Sequence, residues 1–439
     1  MKISTLLLTL AFCLPCLVSP AQQPLAEAPI PAVSPKEAEA AEELFQAGRN
    51  LFFQGKYLEA AEKLQKAVAG NPAKTSYKLL LAKAHRYGQQ PEKAIAVFEA
   101  ILRENGSHVE AGIELAELLD PLKESDRVIG VLEPLLKYKH DYPLYHLLAQ
   151  ANYQKENFEK AQHYYEEATR LNDQNADDHY QLGNIYLAQQ RFAKAAVAYE
   201  RAGDLGVSTG VYHFKLASVY FNLHNYLGAV HAAQIIGGQT GQIKNELYLL
   251  DPVPGQKDFF YVCPPQSAVY QTAKAQQLGV DVFDIRFLEA NIWLSARRYA
   301  RANPMYAELE EEVSKANAGL FWYYWAQAAL GMDDLEQYLV RLDKAIAADP
   351  EVYKPTKADA LVTVAERHQQ QGDTAKHSEY LQQAVAVTPL SARLHLMLGD
   401  AHWIASERRQ AVEQYKLVLE LEPQHADRVR LLNRIREAS

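Results

Sequence analysis

Residues 176–209 read ADDHYQLGNIYLAQQRFAKAAVAYERAGDLGVST, and their apolar positions fall into two helical stripes. Leu182, Tyr186 and Leu187 share one face of a first helix; Ala195, Ala198, Tyr199 and Ala202 share one face of a second. Gly183 and Ala195 stand where two antiparallel helices would cross, and a larger side chain there would hold the axes apart. So short a pair cannot bury both stripes alone and needs neighbours. They come at a fixed period: Ala161, Ala195 and Ala229 are 34 residues apart, as are Ala60 and Ala94, and Pro389 and Pro423.

The run resembles the tetratricopeptide repeat (TPR). That family's first helix carries a large residue, Leu–Gly/Ala and an aromatic, here His179, Leu182, Gly183 and Tyr186. Its second helix carries an aromatic, Ala, an aromatic and Ala, here Phe192, Ala195, Tyr199 and Ala202. The Pro that often follows is missing in this copy but present as Pro72, Pro350, Pro389 and Pro423. The resemblance implies an all-α fold: a right-handed TPR solenoid of antiparallel helix pairs, about ten repeats, interrupted by one insertion.

An N-terminal array is expected over 34–238. Ser34, Pro35 and Glu37 predict its first helix start, with Ser as cap, Pro first in the helix and Glu three after the cap. Repeats follow from about Ala41, Thr75, Tyr142, Ala176 and Gly210. A degenerate third keeps Leu115, Leu119, Val128 and Leu132, but Pro121 stops its first helix early. The sixth is expected to place Tyr226, Ala229 and Ala233 on its second helix, which ends at Gly237 and Gly238.

Residues 239–265 hold Pro252, Pro254, Gly255, Pro264 and Pro265 and read as an insertion within a damaged repeat. Two forms fit: a small hairpin pairing 246–250 with Phe259–Cys263, or an irregular loop with one short helix over 243–250. Residues 266–278 then read as the damaged repeat's second helix, since Ala268 and Ala302 are again 34 apart. A C-terminal array is expected over 266–425 and a capping helix over 426–439. In that cap Ala426, Val429, Leu432 and Ile435 form the apolar face, with Arg428, Arg430, Arg434 and Arg436 toward solvent.

The N-terminus reads as a cleavable signal peptide, 1–21. Lys2 supplies the positive end, residues 6–14 the apolar core, and Ser19, Pro20 and Ala21 the cleavage site before Gln22. Residues 22–33, with Pro24, Pro29 and Pro31, read as an extended linker. Pro15 and Pro20 interrupt the apolar run, so no stable membrane insertion is expected after cleavage, and the location expected is periplasmic or secreted. Cys13 and Cys16 lie in the leader, where Phe12 and Pro15 precede them in place of the small residue lipidation needs. Cleavage leaves only Cys263, either a buried small hydrophobe or a site for intermolecular pairing. The formal charge of −9 becomes −10 once Lys2 is removed, which argues against a nucleic-acid partner.

Chemistry is sparse. There is no nucleophile elbow, phosphate loop, HExxH or CxxC pair. Gly237, Gly238 and Gly241 read as a helix end, with no strand before them and no Lys–Ser/Thr after. Asp173, Asn175 and Asp177 have the spacing at the start of a calcium loop, but Asp178 and Asn184 stand where Gly and the closing Glu belong. His179, His213 and His395 share one repeat position and read as packing residues rather than metal ligands. No catalytic residue, metal or cofactor is expected.

In the TPR family, first-helix residues off the packing face line a concave groove. In this chain they map to Gln150, Tyr153, Tyr180, Asn184, Phe214, Lys215, Ser218, Phe221, Phe287, Asn291, Tyr323, Tyr324 and Gln327. Aromatics interleaved with amides suit a partner peptide or a glycan, and about half of them are expected to be exposed. Asn184 and Lys215 fit two places of the family's carboxylate clamp, but Tyr180 stands where its first Lys is needed. The resemblance implies a non-catalytic exported scaffold for protein or peptide partners, in envelope assembly, secretion or polysaccharide export; a glycan-binding module is the alternative.

Overall fold

The computed structural model describes residues 33–234 and 248–438. The signal peptide, most of the linker, the glycines at 237–241 and the start of the expected insertion lie outside the described residues. The chain forms two compact units, one up to Asn157 and one from Phe158.

The first unit holds α1 (Pro35–Phe53), α2 (Tyr57–Gly70), α3 (Thr75–Tyr87), α4 (Pro91–Glu104), α5 (Val109–Leu119), α6 (Ser125–Leu132) and α7 (Tyr142–Gln154). Its entry is the capping box read from the sequence: the Ser34 hydroxyl accepts from the Glu37 amide, and the Glu37 carboxylate accepts from the Ser34 amide at 3.0 Å. Pro121 lies in a 3-10 turn, Asp120–Leu122, that ends α5. Consecutive helices pair as α1/α2, α3/α4 and α5/α6 around Ala60, Leu64, Leu81, Phe98, Leu115 and Leu132.

The second unit runs α8 (Phe158–Leu171), α9 (Ala176–Ala188), α10 (Phe192–Asp204), α11 (Gly210–Asn222), β1 (His231–Gln234), β2 (Tyr248–Pro252), β3 (Phe259–Cys263), α12 (Ala268–Gln277), α13 (Phe283–Ser295) and α14 (Tyr299–Leu309). It continues with α15 (Ala318–Gly331), α16 (Leu335–Ala348), α17 (Pro350–Gln370), α18 (Thr374–Val387), α19 (Ala392–Ile404), α20 (Arg408–Leu421) and α21 (Arg428–Glu437). Six pairs, α9/α10 through α19/α20, stack in order.

One turn repeats inside the pairs. A single residue with left-handed backbone closes each first helix: Gly55, Gln89, Lys123 and Glu156 in the first unit, and Gln190, His224, Arg297, Asp333, Gly372 and Ser406 in the second. The next amide donates back to a carbonyl five residues earlier, as Arg191 to Tyr186 at 2.8 Å and Arg298 to Trp293 at 2.8 Å. Only two of these positions are glycine, so most pay the roughly 1 kcal/mol steric cost of the left-handed region.

That turn relocates the insertion. His224 has the left-handed backbone, and the Asn225 amide reaches the Tyr220 carbonyl at 2.9 Å, so α11 ends as every first helix does. The second helix should then begin at Tyr226. Instead the amides of Ala268 and Val269 donate to the carbonyls of Asn225 and Tyr226, both at 3.0 Å, and α12 packs on α11. Of the expected second helix over 226–238, the described part, 226–234, is not helical: Ala229 is exposed and His231–Gln234 is a strand. α11 and α12 are one repeat, not two, and the insertion lies within its turn. α12 supplies the buried Ala268, Thr272 and Ala275 that the pair requires.

The insertion carries a three-stranded antiparallel sheet in the order β1-β3-β2. Aromatic and β-branched Phe259–Cys263 takes the centre, with Val262 and Cys263 fully buried. The Arg301 guanidinium of α14 holds the β2 edge by the Leu250 carbonyl and by Asp251, the latter at 2.9 Å, and lies over the Trp293 ring.

The cap also differs from expectation. Leu431 is its buried residue, while Val429 is 72% exposed. Arg430 and Arg434 turn inward to the Asp400 carboxylate, at 3.0 and 2.5 Å, instead of facing solvent. Asp400 at the end of the array recruits both cations and so sets the helix's rotation.

Candidate partner-binding face

First helices touch each other across repeats in the second unit, α11 with α13 and α13 with α15, and no second helices do so to that extent. The first helices therefore form the tighter wall, and residues off their packing stripe face along it.

At the start of this wall a polar knot forms. Asn184 Oδ1 accepts from Lys215 Nζ and from the Tyr199 hydroxyl, each at 2.7 Å. The Lys215 ammonium sits 5.0 Å from the Tyr180 ring centre, and that ring lies 5.8 Å from Tyr199 and 6.4 Å from Tyr212. Lys215 is thus held by an amide and an aromatic face, not by a carboxylate. On α11, Ser218 donates to the Phe214 carbonyl at 3.0 Å, and Phe221 lies 5.6 Å from Tyr226.

Farther along, the wall becomes an aromatic ladder. Phe287 is 5.4 Å from Phe283, 5.8 Å from Phe321 and 6.1 Å from Tyr324. Tyr323 neighbours Tyr324 at 5.8 Å and stacks on Tyr353 at 5.3 Å. Burial holds the Tyr324 hydroxyl above its ordinary pKa, with Tyr323 and Tyr226 beside it adding to the rise. Gln327 lies beside the Tyr338 hydroxyl.

The expectation that half of the mapped residues are exposed does not hold. Asn291 is buried, and the other twelve are half-buried. Asn291 is a structural acceptor for the Tyr306 hydroxyl at 2.6 Å, and Tyr415 makes the same bond to Asp400 at 2.7 Å. Tyr199, Tyr306 and Tyr415 each reach a first-helix residue 15 positions back, a clasp within a pair. A second device joins neighbours: Tyr186 and Tyr220 donate to Glu166 and Glu200, at 2.5 and 2.6 Å. Gln150 and Tyr153 belong to α7 of the first unit and are half-buried there.

Sequence reasoning missed Phe283, Tyr226 and Tyr353. Tyr226 was assigned to a helix that does not form. Tyr353 stands on early turns of α17, which begins at Pro350, well before the apolar stripe at Leu361. The Asp349-Pro350 cap, with Asp349 accepting from the Val352 amide, is the signal that reveals those turns.

Asn175 Oδ1 accepts from the amides of Asp177 and Asp178, so the run resembling a calcium loop caps α9. His213 bonds Gln271 at 2.5 Å and Ser208 at 3.1 Å, and His395 bonds Gln414 at 2.7 Å. Among the described residues no group of His, Cys, Asp and Glu is placed to hold a metal, and no helix is long and apolar enough to cross a membrane.

The tetratricopeptide-repeat family model matches residues 45–109 and 146–205. Among solved structures, the chain is similar to MamA residues 41-end from Desulfovibrio magneticus RS-1: 20% identity over 40% of this chain and 97% of that one, TM-score 0.36. It is similar to PilF of Pseudomonas aeruginosa at 16% identity, over 43% and 86%, TM-score 0.36. It is also similar to YrrB, described as a TPR protein with an unusual peptide-binding site, at 17% identity, over 52% and 94%, TM-score 0.36. No curated protein matches.

Proposed function

Taking as premise that this chain is a tetratricopeptide-repeat protein, we propose that it is a non-catalytic scaffold whose first-helix wall holds a peptide segment of a protein partner. The observation that carries this reading is the wall of the second unit. Its polar knot at Asn184 and Lys215 lies on the same face as the ladder through Phe287, Tyr324 and Tyr323. Half-buried rings offer rigid apolar area at low entropic cost, and the interlocked ladder is organised before a partner arrives. A glycan would need free amides beside the rings; Asn184 and Asn291 are already engaged, which favours a peptide.

Ser208, His213 and Gln271 form a hydrogen-bonded run with the outline of a catalytic arrangement. An amide replaces the acid, and burial holds the imidazole below its ordinary pKa, so the run serves packing. We further propose export to the periplasm or beyond, supported by Lys2, the apolar run 6–14 and the small residues before Gln22. Envelope assembly, secretion or polysaccharide export is the setting in which such a scaffold would act.

The test is photo-crosslinking in the native host, with the crosslinker at Tyr180, at Phe260 on the sheet, and at Val340 on a second helix. The reading expects one partner captured from Tyr180 and not from Val340. Capture from Val340 alone, or no capture at Tyr180, would overturn it. N-terminal sequencing of the mature chain should begin at Gln22; an intact Met1 in the soluble fraction removes the export proposal.

A further inference from the structure

Where second helices do not touch, as α8 and α10 do not to the extent that α11 and α13 do, the space between them must be filled by side chains. Between the end of α8, α9 and α10 it is not filled. An apolar socket of about 620 Å³ opens there, floored by the buried Leu182 and Tyr186 and walled by Ala193, Val197 and Ala198. Val197 forms the lip and is 67% exposed.

The gap has a cause in the sequence. Eight residues after the left-handed turn residue, the other second helices carry Lys63, Val97, Val131, Tyr164, Met305, Arg341, Tyr380 or Gln414. After Gln190 the same place is Ala198. A small residue where the other second helices carry a larger one therefore leaves this space open.

Its charge is as distinctive. In a chain of net charge −9, the socket is lined by Lys194, Arg201 and His179 and by no carboxylate. Arg201 pairs with Asp173 at 2.8 Å. Lys194 makes no ion pair among the described residues, and its ammonium lies 5.3 Å from the Tyr186 ring centre. The Glu166 carboxylate is taken by the Tyr186 hydroxyl.

We propose that this socket is a second binding site, distinct from the first-helix wall, for a peptide segment that presents one bulky apolar side chain beside carboxylates. The apolar group displaces water from the floor, and a flanking carboxylate meets Lys194. Charge complementarity selects this occupant: a basic or neutral segment gains nothing from the rim.

Fluorescein-labelled decapeptides of Asp and Glu with a central Phe or Ala, titrated against the full chain by anisotropy, test the proposal. The Phe peptide should bind roughly tenfold to hundredfold tighter than the Ala peptide. Ala198→Tyr restores the residue carried at Tyr164 and Tyr380; it should keep the melting temperature and erase the preference for Phe. Val197→Asp, at an exposed lip, should do the same and serves should Ala198→Tyr misfold. Lys194→Glu should weaken binding about fivefold at low salt. Tyr180→Ala on the first-helix wall should leave binding unchanged, which separates failure here from failure of the scaffold reading.

Equal affinity for the Phe and Ala peptides overturns the proposal. So does equal affinity for a Lys-flanked Phe peptide, or a preference for Phe that survives both socket variants. Concentration-dependent dimerisation lost in Ala198→Tyr would make a second copy of the chain the occupant and would also overturn it.

Discussion

Gly183→Ala and Gly130→Ala form a matched pair of perturbations. Both glycines are helical, so alanine gains up to about 1 kcal/mol of helix propensity at each. At Gly130 an added Cβ meets nothing within 4 Å. At Gly183 it would lie 2.7 Å from Cδ1 of Tyr199; ordinary contact starts at 3.4 Å, so the ring must retreat by about 0.7 Å. Tyr199 has little room to do so. It is fully buried, its hydroxyl is clasped by Asn184, and Tyr180 and Tyr212 flank its ring. Overpacking costs about 1–3 kcal/mol. Ala290 stands at the same place opposite Tyr306, so α9 and α10 can spread to accept a methyl, which puts the cost low in that range. The net expectation is a loss of about 1 kcal/mol for Gly183→Ala and a gain of about 0.5–1 kcal/mol for Gly130→Ala. Because repeat arrays need not unfold in one step, amide hydrogen exchange resolved to α9/α10 and α5/α6 is the assay, with thermal melts alongside. Tyr199→Leu in the Gly183→Ala background recreates the Ala–Leu pairing used at Ala326/Leu342 and Ala365/Leu381, and should recover most of the loss. Slower exchange of α9/α10 in Gly183→Ala, matching the effect at Gly130, would refute the close-crossing argument.

Three further outcomes follow from named groups. Arg301→Ala removes the clamp on β2 and should expose Tyr248–Pro252 and Phe259–Cys263 to limited proteolysis while far-UV helicity stays unchanged; an unaltered cleavage pattern would show that the sheet is held by other contacts. Burial pushes the Cys263 thiol up to about 12, so iodoacetamide at pH 8 should leave native chain unlabelled and label it in urea; rapid native labelling would restore the intermolecular-pairing reading. Burial also holds His85 and His213 below the ordinary value of 6.5, so the unfolded chain takes up protons first, and stability should fall as pH drops below about 6.5. His213→Gln should flatten that slope between pH 6.5 and 5, and an unchanged slope would assign it elsewhere.

The pairing of helices was legible because it is written twice: in the apolar stripes and in small residues such as Gly183 and Ala195 at the crossings. The capping box at Ser34 and the stop at Pro121 were legible for a similar reason, since each rests on a single residue's chemistry. The turns were not. Gln89, Gln190, Arg297 and Ser406 adopt left-handed backbone without a glycine to announce it. Without that mark, Ala229 at the right period looked like a helix residue, and Tyr226 was assigned to packing. Exposure on the wall was misjudged because a stripe says which residues leave the core, not how closely the next first helix approaches. The Tyr199–Asn184 clasp joins residues on different helices, and no periodicity of one helix reports it.

The relocated insertion explains why the array survives it. An array is sensitive to where each helix starts against its neighbour, and an insertion inside a helix would shift one of them out of phase. Between Tyr226 and Ala268 the chain leaves and returns at one point: the Asn225 and Tyr226 carbonyls take the amides that a continuous helix start would have offered. The helix pair is closed as if nothing intervened, and the entropic cost of a longer loop grows only slowly with its length. The described parts of the insertion are not left as a free loop either. They form a sheet whose β2 edge is tied to α14 through Arg301, bridging the interrupted pair to the next one. Tyr226, at the exit of the turn, lies beside Phe221 and near Tyr324, so the departing chain adds a ring to the wall at the point where the polar knot gives way to the ladder. The insertion therefore shapes the wall on which the scaffold reading depends, and a variant that shortens it would change partner capture at Tyr180 even where it leaves the helices in register.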